Sequence, residues 1–203
     1  MSTPDPLSTR HSALGTRQSG LTLIELVMFI VIISVALAGI IGVFNLNAQH
    51  SADPMVQKQA LAIAESLLEE IELMPFTYCD PDDANATTAA DATGCATTAE
   101  GTGPEATQGE TRYSVATPFD NVNDYDSFTM NAGNGGILDI TGAAVGGAGT
   151  LDAYSVVVAT TPTALGTVAA ADSLLITVTV TGPGSTSVVL NGYRTRYAPN
   201  ATP

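Results

Sequence analysis

The side chains in this sequence that could perform acid–base or metal chemistry are few, and most of them are carboxylates. The 203 residues include 20 Asp and Glu but only 6 Lys and Arg, for a formal net charge of −14. Histidine occurs only at His11 and His50, so no imidazole after residue 50 could act as a base or metal ligand. We expect no enzymatic activity and no cofactor. Nucleic-acid binding needs clustered Lys and Arg, so we expect no nucleic-acid partner.

The densest group of acids lies between the two cysteines, Cys79 and Cys95. Asp80, Asp82 and Asp83 offer the oxygen ligands that a calcium ion takes, but they lack the spacing and the glycine of an EF-hand loop. The favoured expectation is therefore a solvent-exposed acidic loop without a metal. A calcium site at these three aspartates is the alternative.

A further carboxylate, Glu25, stands near the start of a long apolar segment. Between Leu21 and Phe44 the clearly polar residues are Thr22, Glu25 and Ser34. As a helix, this segment would be about 36 Å long, whereas the hydrocarbon core of a bilayer is roughly 30 Å thick. It is also longer than the apolar region of a cleavable secretory signal, which has about 7–15 residues. The segment therefore predicts a membrane-spanning helix.

Charged residues on either side of this segment predict its orientation. Arg10 and Arg17 precede it and Asp53 follows it, so the positive-inside rule leaves the N-terminus in the cytoplasm. The chain beyond the helix would then lie in an oxidising compartment outside the cytoplasm. In such a compartment Cys79 and Cys95 are expected to form a disulfide.

The residues around Glu25 also match a processing signal. Residues 18–25 read Gln-Ser-Gly-Leu-Thr-Leu-Ile-Glu. This segment resembles the signal of type IV prepilins, in which a basic leader ends in Gly and Glu is the fifth residue of the mature chain. The resemblance implies that a prepilin peptidase cuts between Gly20 and Leu21, and that the new amine of Leu21 is methylated. It also implies that Glu25 pairs with the amine of a neighbouring subunit and sets the register of a filament.

An amphipathic helical segment is predicted after the apolar one. Asp53-Pro54 has the form of an N-cap followed by proline at the first helical position, and Pro75 would end the helix. Apolar residues recur every three or four positions and predict one buried face, formed by Val56, Ala60, Ile63, Leu67, Ile71 and Met74. We expect the other polar side chains of the segment to face solvent, namely Gln57, Glu65, Glu69, Glu70 and Glu72.

Alternating polar and apolar residues predict an antiparallel sheet in the C-terminal half. Strands are predicted at residues 112–117, 128–130, 137–140, 154–160, 174–181 and 186–197. Gly182-Pro183-Gly184-Ser185 would join the last two into a hairpin, and Asn191-Gly192 predicts a bulge in its return strand. Because a sheet laid on the amphipathic helix would bury both apolar faces, the predicted fold class is α+β.

The predicted organisation therefore has five parts. They are a prepilin leader at residues 1–20, a transmembrane or filament-core helix at 21–46, the amphipathic half of the stalk helix at 47–75, a disulfide-closed acidic loop region at 76–111 and an antiparallel β-sheet region at 112–203.

Residues 51–81 extend the resemblance to minor pilins of the mannose-sensitive haemagglutinin type IV pilus. This implies a structural subunit that primes assembly of the pilus or is incorporated into it, and that supports surface attachment. Its partners would be prepilin peptidase, other major and minor pilins and the inner-membrane assembly platform. It would span the inner membrane with its C-terminal part in the periplasm, and would be extracellular after assembly. A minor pseudopilin of a type II secretion system and a tip adhesin are the alternatives.

Overall fold

The computed structural model describes residue 20, residues 22–105 and residues 108–202, with the main chain alone at residues 45–53. The chain divides into two compact units, residues 1–48 and residues 49–203. We call the second unit the head.

One long helix, α1, comprises Leu23–Leu73. It ends two residues before Pro75, where the sequence predicts its end. The apolar helix continues into the amphipathic one as predicted, but the N-cap predicted at Asp53-Pro54 is not seen, because the helical main chain continues through Pro54. Proline lacks an N–H group, so one backbone hydrogen bond of the helix is lost at this position.

Four strands form an antiparallel sheet whose order follows the chain: β1 is Thr129–Met130, β2 is Ser155–Pro162, β3 is Ser173–Gly182 and β4 is Thr186–Thr195. The predicted hairpin is present, with Val180 opposite Val188 and Gly182 opposite Thr186. The α+β fold class is therefore confirmed.

Two of the predicted strands are absent, and the sheet begins at Thr129 rather than at residue 112. Residues 112–117 form turns, and an isolated bridge between Leu138 and Ala144 replaces the strand predicted at 137–140. Gly135 and Gly136 adopt φ angles of 102° and 85°, which turn the chain just before the second of these segments. The segment that remains is too short to form a ladder.

The core of the head lies between α1 and one face of the sheet. From α1 it takes Ala60, Ala64, Leu67 and Ile71, and from β2 and β3 it takes Val156, Val158, Ile176, Val178 and Val180, none of them more than 2% exposed. The helix contributes residues three or four apart and the strands contribute alternate residues, as their geometries require. The predicted apolar face of the helix is confirmed, with Ala64 as an addition.

Gly192 allows α1 to approach β4 closely, and the predicted bulge is absent. The ladder is regular there, with Gly192 opposite Ile176 and Asn191 opposite Thr177. A Cβ atom at Gly192 would lie 2.9 Å from Cδ1 of Leu68 and would collide with the Glu72 side chain. The glycine is therefore explained by helix–strand contact rather than by a turn of the backbone.

Candidate functional site

Glu25 lies in the first turn of α1 and its side chain is exposed. Thr22 caps this turn, because its carbonyl accepts the Leu26 N–H at 3.1 Å and its hydroxyl accepts the Glu25 N–H at 3.4 Å. Gly20 is exposed and lies just before the helix. The predicted leader at residues 1–19 and the predicted methylation site, Leu21, lie outside the described residues.

From Leu23 to Phe44, α1 is apolar around its whole circumference and exposed along its whole length. The hydroxyl of the polar Ser34 donates a hydrogen bond to the Ile30 carbonyl of the same helix at 2.7 Å. This stretch of 22 residues is long enough and apolar enough to span a membrane. A helix that is apolar on every side needs an apolar environment on every side.

The predicted disulfide is present, with the Sγ atoms of Cys79 and Cys95 bonded at 2.02 Å. Cys79 is fully buried and packs with Ala86 and Ala89 in a small cluster of its own. The bridge therefore holds together a loop that has little apolar core.

Removing the bridge is expected to destabilise the head. The bonded cysteines are 16 residues apart, and closing a loop of this length stabilises a protein by about 3 kcal/mol through the unfolded chain. We expect the double variant Cys79→Ser, Cys95→Ser to lose that amount in denaturant unfolding. Reduced wild-type protein is the matched control and should unfold with the variant. Equal midpoints of denaturant unfolding for the oxidised wild-type protein and the variant would contradict the expectation.

Asp83 organises the main chain of the disulfide loop. Its Oδ1 accepts the N–H groups of Asn85 and Ala96 at 2.8 and 2.9 Å, and its Oδ2 accepts those of Thr97 and Thr98 at 2.7 and 2.9 Å. These hydrogen bonds, that from Thr98 foremost, hold the pKa of Asp83 well below its usual range. Both carboxylate oxygens of Asp83 therefore already accept hydrogen bonds from the main chain.

The structure does not bring Asp80, Asp82 and Asp83 together as a set of metal ligands. Asp82 is exposed, while Asp80 is fully buried and lies with Glu110 and Asp120 instead. The expectation of an exposed acidic loop thus holds for Asp82 but not for Asp80 or Asp83. Those two are buried because loop main chain and neighbouring side chains surround them.

Six carboxylates converge in this part of the head, and we call them the carboxylate cluster. They form two triads, in each of which one oxygen per residue lies within 4.8 Å of the others: Asp80, Glu110 and Asp120, and Glu100, Glu105 and Asp124. Burial, with repulsion from neighbouring acids, raises the pKa of Glu100 to about 9, that of Asp120 to about 7 and that of Asp124 to about 6. No local pattern indicates the cluster, because its members are spread over residues 80–124.

A buried ion pair connects α1 to the loops. Nε and Nη2 of Arg112 each donate to the Glu70 carboxylate at 2.7 Å, and Nη1 donates to the carbonyls of Leu138 and Asp139 at 3.1 Å. The Tyr125 hydroxyl donates to Oε1 of Glu70 at 2.7 Å. The expectation that Glu70 faces solvent is therefore wrong. Its partner Arg112 is 42 residues away in sequence, where no helix pattern could indicate it.

Among protein-family models, curated proteins and solved structures, none matches this chain.

Proposed function

We propose that this chain is a minor type IV pilin, similar to the MshD pilin of the mannose-sensitive haemagglutinin pilus. It would prime assembly of the pilus or be incorporated into it, and so support surface attachment. The observation that carries the proposal is a helix surface apolar on every side with one carboxylate, Glu25, in its first turn. A simple membrane anchor needs no carboxylate in its first turn, whereas a carboxylate buried among the helices of a filament needs a partner.

Cleavage between Gly20 and Leu21 would give the carboxylate a partner. The new amine, methylated on Leu21, would begin four residues before Glu25, about 6 Å along the helix axis. In a bundle of such helices, the amine of one subunit would neutralise Glu25 of the next. A buried charge without a partner is strongly unfavourable, so this pairing would select one axial register between subunits.

The same helix would determine where the chain is located in the cell before the pilus is assembled. It would span the inner membrane with its N-terminus in the cytoplasm, leaving the head and its disulfide in the oxidising periplasm. The partners would be prepilin peptidase, other major and minor pilins and the inner-membrane assembly platform. After assembly the head would be displayed on an extracellular pilus.

We expect Glu25→Ala to be processed normally but to enter pili at no more than a tenth of the wild-type level. The reason is that the substitution leaves the amine of the neighbouring subunit without a counter-charge in an apolar bundle, which costs several kcal/mol, and about 1.4 kcal/mol already changes an equilibrium constant tenfold. The measurement is an immunoblot of sheared pili, normalised to the major pilin and to the cellular level. Glu65→Ala, which removes an exposed carboxylate of α1, is the matched control.

Incorporation of Glu25→Ala at the level of Glu65→Ala would contradict the pairing. Immunogold labelling of shed pili separates the alternative functions. Absence of label together with a secretion defect would favour a type II secretion pseudopilin. Binding of the chain to a glycan array would favour a tip adhesin.

A further inference from the structure

The Glu100–Glu105–Asp124 triad contains buried oxygens that no hydrogen bond satisfies. Asp124 is 1% exposed, and its Oδ2 accepts the N–H groups of Asp120 and Asn121 at 2.9 and 2.8 Å. Its Oδ1 has no partner, and neither has either carboxylate oxygen of Glu100, although all three atoms are buried. Buried acceptors normally have donors, because leaving one without a partner costs about 1–3 kcal/mol.

Asn123 adds a fourth buried oxygen beside the triad. It is 4% exposed, and its Nδ2 donates to the Gly101 carbonyl while its Oδ1 has no partner. Its side chain lines the same small cleft, of about 110 Å³, as Glu100. The oxygens without a partner at this place are acceptors, which a bound cation would satisfy; the one buried side-chain donor without a partner among the described residues that line the cleft is Nε of Arg196.

Among the described residues, no Lys or Arg forms an ion pair with an acid of this triad. The charges with the largest effect on the pKa of Glu100 are those of Asp124, Glu105 and Asp80, all of them negative. Arg196 lines the same cleft, but its guanidinium lies 3.9 Å from the centre of the Phe76 ring and is paired with Asp172.

Arg112, the other arginine with an ion pair among the described residues, is engaged by Glu70. Neither arginine is therefore paired with an acid of the triad.

The second triad differs, although it has the same kinds of side chain. Oδ1 of Asp80 accepts the Asp82 N–H at 2.6 Å, and its Oδ2 accepts the Gln108 amide. Oε2 of Glu110 accepts the Glu105 N–H at 3.3 Å. In the part of the chain that the structure describes, none of its carboxylate oxygens is both buried and without a partner. Protein donors thus serve Asp80 and Glu110 of the second triad, whereas in the first triad they leave Oδ1 of Asp124 and both carboxylate oxygens of Glu100 without a partner.

We propose that Glu100, Glu105 and Asp124, together with the amide oxygen of Asn123, bind a calcium ion in the head. Calcium takes about six to eight oxygen ligands in flexible geometry, and carboxylates that bind through one or both oxygens, an amide carbonyl and water meet that need. Magnesium requires a near-ideal octahedron and gives up its water reluctantly, while zinc prefers nitrogen and sulfur ligands. The ion would connect the loop after Cys95 to the turn that carries Asp124.

The test uses the full chain in a mild non-ionic detergent, stripped of metal with a chelator and then titrated with calcium chloride in a calorimeter. We expect one ion per chain. We also expect the midpoint of thermal unfolding to rise with calcium but not with magnesium at equal ionic strength, because a ligand that binds only the folded state stabilises it. This outcome does not depend on the proposed function, since all the ligands lie in the head.

Glu100→Gln tests the ligand set while preserving the shape of the side chain. We expect calcium to bind this variant at least tenfold more weakly. In chelator the variant should be at least as stable as the wild type, because one of three mutually repelling acids is replaced by a neutral amide. Asp152→Asn, which removes an exposed carboxylate elsewhere in the head, should keep the wild-type affinity.

Three results would overturn the proposal. One is the absence of any heat or stabilisation in the wild type at about 10 mM calcium, above the range of weak extracellular sites; protons would then neutralise the triad. The others are an equal response to magnesium, which would mean charge screening, and wild-type affinity in Glu100→Gln.

Discussion

Glu70→Ala is expected to destabilise the head by about 3–5 kcal/mol, because it leaves a buried arginine without its counter-charge. The Arg112 side chain is only 5% exposed, and Glu70 accepts two of its hydrogen bonds. The same substitution removes the acceptor of the Tyr125 hydroxyl, and Tyr125 is fully buried. Since the chain has no Trp, the measurement is denaturant unfolding of the detergent-solubilised protein, followed by the near-ultraviolet dichroism of tyrosine.

The neighbouring residue offers a matched control for this prediction. Glu69 is exposed on α1, and Glu69→Ala should change the free energy of unfolding by no more than about 0.5 kcal/mol. A double variant, Glu70→Leu with Arg112→Met, should recover part of the lost stability, because replacing both members of a buried pair leaves no isolated charge. Equal effects of Glu70→Ala and Glu69→Ala would show that the ion pair does not stabilise the head.

Gly20→Ala is expected to abolish processing, so that the whole cellular pool keeps its leader. The type IV prepilin resemblance places Gly20 immediately before the cut, where the absence of a Cβ atom lets the peptidase approach the main chain closely. Intact-mass spectrometry of the membrane fraction would then show the precursor alone.

Gly39→Ala is the matched control, because it makes the same substitution within the apolar part of α1. Nothing lies within 4 Å of the added methyl group there, and alanine is the better helix former by about 1 kcal/mol. Gly39→Ala should therefore be processed like the wild type. Normal processing of Gly20→Ala as well would contradict the predicted cleavage site.

The elements that could be predicted from the sequence are those whose signal is local. The hairpin of β3 and β4 follows from alternation in residues 174–181 and from the Gly-Pro-Gly-Ser turn after them, and the buried face of α1 follows from apolar residues three or four apart. Each pattern arises because the element buries one of its faces, so it is present whichever partner the element packs against. The apolar run of α1 is predictable because its length and composition alone identify it.

The features that could not be predicted depend on partners distant in sequence. Polar and apolar residues alternate in 112–117, as in a strand. In the structure, however, Arg112 forms an ion pair with Glu70 and the segment forms turns. Asn191-Gly192 is a sequence typical of a β-bulge, but in the structure the absence of a side chain at Gly192 leaves room for Leu68 of α1. The pattern of residues along one sequence does not indicate such contacts.

The carboxylate cluster was missed for a related reason. The short spacing of Asp80, Asp82 and Asp83 is what a shared metal site would have, but the Asp83 carboxylate accepts main-chain N–H groups. The acids that do converge, such as Glu100 and Asp124, come from separate turns. Only the folded chain shows which acids share an environment without donors.

Mass spectrometry of the chain recovered from whole cells and from purified pili tests the proposed function most directly. The expected result is a mature chain that begins at Leu21 with a methylated amine, retains the disulfide between Cys79 and Cys95 and is present in the pilus fraction. A chain that still carries residues 1–20 in the membrane and is absent from the pili would contradict it.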